Sequence, residues 1–292
     1  MFCREHDWEF AFFQARPELL PAYRELGFRA LHIGEDPVLH PDRFTLECSA
    51  IGEVRRAVNK LRGAGLAVRM YLPGGSAFDP AHDPDGLHEQ MRAISNAWLR
   101  TRAGGEKGFC MGRFDAATLR ESWLAVAWDP ARRRVEAFLT WVPVWGRRGW
   151  ALDLMRRRSD AAPGVMEYLV AVSVEDAKAR GYEVLSLSLS ALARADDGAA
   201  GEASAGEPPA GGSPVAGPRA ESEPDRTRAF LMEHLARFYD FQNLFRWKAK
   251  FLPEFEARYL VYPAPMALPR IALALVRAQS PGGLSSYLRR AR

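Results

Sequence analysis

The sequence predicts a mixed α/β protein whose sheets are layered by helices, and three observations carry that expectation. Strand-like apolar runs alternate with amphipathic helical segments along most of the chain. Of its 292 residues, 48% are hydrophobic and 26% charged, the make-up of a globular chain with mass for one large or two modest cores. The longest apolar stretches, such as Phe138 to Trp145 and Ile271 to Val276, fall short of the roughly 18 to 20 residues that cross a bilayer. Fibrous, collagen-like and wholly disordered classes are excluded, and no segment is expected to span a membrane.

Taken in order, Trp8 to Gln14 predicts a buried strand, and Pro17 to Leu26 a helix with Pro17 at its start and Gly27 at its stop. Phe28 to Ile33 is a second strand. Ile51, Val54, Val58 and Leu61 recur at helical spacing opposite Arg55, Arg56, Asn59 and Arg62, which predicts an amphipathic helix with a basic face. Gly63 to Gly65 ends it and Leu66 to Leu72 returns as a strand. A Pro/Gly/Asp loop from Pro73 to Gly86 leads into a helix from Leu87 to about Arg102. Strand-like pieces follow at Phe109 to Phe114, Trp123 to Trp128, Val135 to Val144 and Trp150 to Met155. A long helix from Val165 to Arg180 stops at Gly181. Leu185, Leu187 and Leu189 alternate with Ser186, Ser188 and Ser190, the period-two pattern of a strand with one polar face. Arg228 to Tyr239 is helical and Tyr259 to Tyr262 is a last strand.

Between Ala195 and Asp225, seven acids face one base, and 22 of the 31 residues are Ala, Gly, Pro or Ser. Such a segment buries too little apolar surface to offset the entropy of ordering, so 195–225 is expected to be a disordered acidic insertion. Two globular regions remain, 1–104 and 105–292, joined through Ala103-Gly104-Gly105. The insertion carries net −6, so the rest of the chain carries +10 beside the total of +4. That excess points to a polyanionic partner, either nucleic acid phosphates or an anionic membrane surface, against a basic surface kept for solubility. Three scattered cysteines (Cys3, Cys48, Cys110) and a charged start point to a reducing, cytoplasmic setting.

The common nucleotide-loop, hydrolase and zinc-protease signatures are absent, and the six dispersed histidines predict no metal site. One short match, Arg62-x-x-Gly65-x-Ala67, fits the loop by which acetyltransferases hold the coenzyme A pyrophosphate. That loop should open a helix so that its N–H groups meet the phosphates. Here the match closes a helix and leads into a strand, so it is taken as coincidence.

Two longer blocks carry a resemblance. The first runs Asp153-Leu154-Met155-Arg156 through Pro163-Gly164-Val165-Met166-Glu167. The second runs Phe238-Tyr239-Asp240-Phe241, then Lys248-Ala249-Lys250-Phe251-Leu252-Pro253, and ends on Glu256-Ala257-Arg258-Tyr259. Weaker echoes lie at Ile33-Gly34-Glu35, Phe44-Thr45-Leu46 and Lys107-Gly108-Phe109. Together they resemble the aminoacyl-phosphatidylglycerol synthase domain (lysyl or alanyl) of the multiple peptide resistance factor (MprF) family, over nearly the whole chain except the acidic segment.

The resemblance implies tandem acetyltransferase-like (GNAT) lobes that move lysine or alanine from aminoacyl-tRNA to the glycerol hydroxyl of phosphatidylglycerol at the inner face of the membrane. No cofactor is implied, because an aminoacyl ester is already activated and needs positioning, proton transfer and oxyanion stabilisation. The matching Asp153 and Arg156 are carried over as catalytic, Asp153 to orient or deprotonate the lipid hydroxyl or read the aminoacyl ammonium, Arg156 to hold a phosphate or developing charge; a structural salt bridge at a strand end is the alternative. Glu167, Ser188, Lys248, Lys250, Arg258 and Tyr259 are the candidate substrate contacts. Lys248, Lys250 and Arg258, interleaved with Phe245, Trp247, Phe251 and Tyr259, suit either an unpaired tRNA end or a core edge with snorkelling lysines. Arg55, Arg56 and Lys60 are tRNA or headgroup candidates, or simply solvated bases. The arginine-rich end, Pro269 to Arg277 and Leu284 to Arg292, suits an interfacial helix or one packed on the catalytic lobe.

Three departures from the family accompany the match. The multi-helix membrane half is not in these residues, which would leave lipid flipping to a separate flippase. The opening resembles a point some way into the first lobe, so that lobe is expected to be incomplete. Ser188-Leu189-Ser190-Ala191 stands where the family has glycine-methionine-alanine-proline. Two other functions therefore stay open: an acyltransferase with a peptide or small-molecule acceptor, and a non-catalytic module that binds anionic lipid or RNA.

Overall fold

In the computed structural model of the chain, residues 2–6, 8–74, 83, 85–101, 109, 112–191 and 241–279 are described. The expected lobe junction near 104, the acidic insertion 195–225, the helix at Arg228 to Tyr239 and the stretch from Leu284 lie outside them. The elements are α1 (Phe2–Glu5), β1 (Phe12–Ala15), a 3-10 turn (Pro17–Leu19), α2 (Leu20–Glu25), β2 (Arg29–Leu39), α3 (Gly52–Gly63), β3 (Ala67–Tyr71), α4 (Leu87–Arg100), α5 (Ala116–Glu121) and β4 (Trp123–Asp129). They continue with β5 (Arg134–Pro143), β6 (Gly149–Arg157), α6 (Val165–Ala179), β7 (Val184–Ser186), β8 (Ser190–Ala191), α7 (Phe241–Ala249), β9 (Glu254–Tyr262) and α8 (Leu268–Gln279). The fold is mixed α/β with helices layered on sheet, as expected.

Two compact units interleave along the chain. The first holds Met1–Asp36, Leu189–Ala249 and Phe255–Ala274; the second holds Pro37–Ser188, Lys250–Glu254 and Leu275–Arg292. In the second, β3, β4, β5 and β6 run antiparallel in that order, with Val68 opposite Ala127, Val126 opposite Phe138 and Leu139 opposite Met155. β6 then pairs in parallel with β7 through the α6 crossover, and Leu39 at the end of β2 lies opposite Leu185. The strands β4 and β5 are buried over almost their full length, because α4 covers one sheet face with Leu87, Met91 and Ile94 against Leu124, Val126, Phe138 and Leu154. In the first unit, β1 pairs antiparallel with β9 (Phe12 opposite Val261), and the first part of β2 pairs with β8 (Glu35 opposite Ser190).

Local chemistry explains the helix limits. Val54, Val58 and Leu61 bury one side of α3, and Gly65 at φ +80° turns the chain into β3. Arg62-x-x-Gly65-x-Ala67 thus closes a helix and enters a strand, as read from sequence. Asp83 accepts from the N–H groups of Leu87 (2.8 Å) and His88 (3.0 Å) and caps α4. Gly164 at φ +87° starts α6 so close to α3 that a Cβ there would lie 2.7 Å from the Ala57 methyl.

Several elements differ from expectation. Residues 112–115 are not a strand; Asp115 instead caps α5 by accepting from Thr118 N–H at 2.9 Å. The strand expected from Trp8 begins only at Phe12, its register is irregular before Ala15, and Trp8, Phe10 and Phe12 are exposed. The Leu/Ser alternation breaks after Ser186, because Ser188 takes φ +66° and donates its N–H to Ser186 Oγ at 2.9 Å. α7 was not anticipated.

Candidate active site

Asp153 and Arg156 stand three apart on β6, a spacing that sends side chains to opposite faces of a regular strand. The ladder is not regular here. Leu139 opposes Met155 and Trp141 opposes Leu152, so three steps along β6 match two along β5, the signature of a β-bulge. The extra residue turns Asp153 and Leu154 to the face that α4 covers. Thr140 Oγ1 marks that face: it accepts from Leu154 N–H at 2.9 Å and lies 3.5 Å from Asp153 Oδ2. Arg156 lies opposite Phe138, which packs with Leu154 under α4, and its guanidinium carbon sits 3.6 Å from the centre of the Trp98 ring. Both candidate catalytic side chains therefore share one sheet face.

Each is tightly held. Gly112 N–H donates to Asp153 Oδ1 at 2.7 Å, and a Cβ on Gly112 would fall 1.8 Å from Oδ2, so only a glycine admits this approach. Arg156 is 5% exposed and donates to its neighbour's carbonyl, Met155, at 3.0 Å. Stacked on an indole and largely desolvated, its fixed fork presents a permanent positive charge. Ser188 Oγ donates to the Leu152 carbonyl, which places it beside the residue before Asp153 rather than on the polar face of a strand.

The other candidates in the second unit fall into two groups. Lys250 Nζ lies 2.8 Å from Glu53 Oε2 on α3 and 3.9 Å from Glu167 Oε1 in the first turn of α6, so the structure brings Lys250 and Glu167 together. The Lys250 ammonium holds the Glu53 carboxyl below the usual carboxylate range. Arg55 is spent on the carbonyls of Leu46 (3.0 Å) and Glu47 (2.9 Å), while Arg56 and Lys60 are exposed on α3.

Lys248, Arg258 and Tyr259 belong to the first unit, and its two cations are buried rather than on the surface. Arg258 is 6% exposed and donates to Asp36 Oδ2 at 2.6 Å and Glu256 Oε2 at 2.9 Å. Lys248 is 3% exposed, donates to the Leu189 carbonyl at 3.4 Å, and is pushed down to about 8 by burial, opposed by the Asp36 charge. Tyr259 sets its ring edge to the His32 imidazole at 5.5 Å, and His32 Nε2 meets Glu35 Oε1 at 3.0 Å.

Sequence reasoning missed Trp98, Gly112 and Thr140, which hold the candidate pair, and Glu53, Asp36 and Glu256, which neutralise the candidate cations. Asp36, next to the Ile33-Gly34-Glu35 echo, and Glu256, inside the second block, had a local signal. Among the described residues no cluster of His, Cys, Asp or Glu could hold a metal ion, and no helix is long and apolar enough to cross a membrane.

Comparison with known proteins shows the family and the fold. The model of the family described as phosphatidylglycerol lysyltransferase, C-terminal, matches residues 1–262. The lysylphosphatidylglycerol biosynthesis bifunctional protein LysX of Gordonia bronchialis is 29% identical over 281 residues, covering 94% of this chain and 22% of that protein. Its Mycobacterium tuberculosis counterpart is 30% identical, covering 95% and 21%. The chain thus spans about a fifth of the length of these relatives. Among solved structures, the C-terminal domain from Agrobacterium fabrum assigned as a lysylphosphatidylglycerol synthetase aligns at a TM-score of 0.74 with 24% identity, covering 96% of this chain and 76% of that one. The L-PGS of Bacillus licheniformis aligns at 0.72 with 22% identity, covering 100% and 77%.

Proposed function

The chain belongs to the phosphatidylglycerol lysyltransferase C-terminal family, and from that premise we propose that it transfers an amino acid from aminoacyl-tRNA to the glycerol hydroxyl of phosphatidylglycerol. The observation that carries the reading is the bulge in β6, which turns a hydrogen-bonded carboxylate and a desolvated arginine to one face of the sheet. The names of the relatives favour lysine over alanine.

In this reading the lipid hydroxyl attacks the ester carbonyl of the aminoacyl-tRNA. A carbon–oxygen bond to glycerol forms, the bond to the terminal ribose oxygen breaks, and the hydroxyl proton finishes on that ribose oxygen. Asp153, fixed by Gly112 and Thr140, orients the hydroxyl and accepts its proton in transit; Arg156 faces the lipid phosphate or the oxyanion. Glu167 and Lys250, already paired near the start of α6, contact substrate beside them. Exposed Arg56 and Lys60 meet tRNA or headgroup phosphates. Ser188 and Arg55 support the second unit's own backbone, and Lys248, Arg258 and Tyr259 that of the first unit. The enzyme works at the cytoplasmic face of the membrane.

The test is a reconstituted assay with labelled lysyl-tRNA or alanyl-tRNA and phosphatidylglycerol vesicles. Labelled lipid is expected with the native chain, and Asp153→Asn and Arg156→Ala should each remove it while leaving the thermal transition in place. Label in a soluble product instead, or full activity in both variants, overturns the proposal.

A further inference from the structure

At one end of the second unit's sheet, the β5–β6 hairpin carries Val144-Trp145-Gly146-Arg147-Arg148. The tip is a tight turn: Arg147 N–H donates to the Val144 carbonyl at 3.2 Å, and Gly146 takes φ +82° at the position where a type II turn needs glycine. Val144 N–H closes the ladder on the Gly149 carbonyl at 3.0 Å. Trp141 and Trp150 are buried just below. Trp145 is nevertheless 89% exposed, an indole held out from a rigid base. Ladder register places Leu72, 40% exposed after β3, at the same end, next to Arg120 through the Gly74 N–H bond to the Arg120 carbonyl. No acid occurs between Thr140 and Leu152 in the sequence, and Glu183 is brought to the hairpin by its N–H, which donates to the Arg148 carbonyl at 2.7 Å.

We propose that this hairpin is a membrane-interface anchor, in which Trp145 seats in the headgroup region of an anionic phospholipid bilayer while Arg147 and Arg148 meet lipid phosphates. The inference rests on the bilayer-lipid acceptor read above and names the surface that brings the domain to it. A tryptophan with an apolar body and one N–H donor favours the boundary between water and hydrocarbon, and adjacent arginines add attraction to anionic lipid. An aliphatic Leu72 at the same sheet end favours a bilayer over RNA, because a base stack gains nothing from an exposed leucine.

The test is sedimentation of the full chain with phosphatidylglycerol vesicles and with phosphatidylcholine vesicles. Trp145→Ala should weaken partition into the anionic vesicles about tenfold, and Arg147→Gln with Arg148→Gln roughly fivefold per charge at low salt. Trp145→Phe should keep most of the binding. Retention of uncharged tRNA on a filter should not change in any of them. Vesicle binding by Trp145→Ala equal to the native chain overturns the anchor, as does loss of tRNA retention with vesicle binding intact, which would make the hairpin an RNA contact. Transfer to water-soluble short-chain phosphatidylglycerol separates the two readings. Trp145→Ala should retain native activity on it while losing activity on vesicles. A native chain inactive on both acceptors refutes the lipid-acceptor reading alone, and the vesicle partition still decides the anchor.

Discussion

Gly112→Ala isolates the positioning of Asp153 from its chemistry, because it leaves the carboxylate present and moves it. The backbone at Gly112 is not in the left-handed region, so alanine meets no conformational penalty there. The obstacle is contact: the new methyl would lie 1.8 Å from Oδ2 and 2.5 Å from both Cγ and Oδ1. An ordinary carbon contact is about 3.5 Å, so the carboxylate must retreat by about 1.5 Å and surrender the 2.7 Å bond from Gly112 N–H. A hydrogen bond to a charged group contributes about 1.5 to 3 kcal/mol, and a misplacement of 1 Å costs on the order of a hundredfold in rate. In the vesicle assay, kcat/KM of Gly112→Ala should fall at least about a hundredfold, close to that of Asp153→Asn. The thermal transition should shift by no more than a few degrees, since the substitution removes no buried apolar side chain. Activity within threefold of native while Asp153→Asn is dead would mean that Gly112 does not fix the carboxylate. Native activity in both would remove Asp153 from the reaction.

The buried cations of the first unit give two further tests. Lys248 is pushed down to about 8 from 10.5, so its folded state binds fewer protons than the unfolded chain between those values. The native chain should therefore gain stability over Lys248→Met as pH rises from about 8 to 10.5, by about 3 kcal/mol in urea unfolding; a flat difference would mean that Lys248 is not desolvated. Arg258→Leu strands Asp36 and Glu256 against a buried apolar side chain and should destabilise the protein by about 3 to 5 kcal/mol. Urea unfolding checks it, and an Arg258→Leu as stable as the native chain would assign the triad no structural role.

Elements whose residues repeat at a clean period were legible in the sequence. The helices at Gly52–Gly63, Leu87–Arg100 and Val165–Ala179 follow from apolar spacing and from glycines at their ends. The strands Trp123–Asp129 and Arg134–Pro143 follow from apolar runs on either side of a turn at Asp129. What was not legible depends on atoms brought together from afar. Asp115 reads as one more polar loop residue until its carboxylate meets Thr118 N–H and starts a helix. Lys248 and Lys250 look alike as neighbours in a basic motif, yet one is buried against the Leu189 carbonyl and the other lies between an exposed carboxylate, Glu53, and a largely buried one, Glu167. A charge run gives the number of cations and not the dielectric around each.

The candidate pair shows the same limit in its sharpest form. Asp153 and Arg156 were linked by resemblance, but strict strand alternation would separate them by the thickness of the sheet. One extra residue in β6 reverses that outcome, and a bulge leaves a ladder N–H to be satisfied. Thr140, directly across on β5, meets that need with its hydroxyl, accepting from Leu154 N–H, and the same oxygen faces the Asp153 carboxylate. A β-branched residue able to hydrogen-bond sideways is required at that point of β5. Valine, equal in shape and equally at home in a strand, would leave the buried N–H unpaired and remove one of the groups that fix the carboxylate. The register defect, its hydroxyl partner and the glycine that closes over the acid are thus one device, and its effect is to turn two residues of a strand toward a common face.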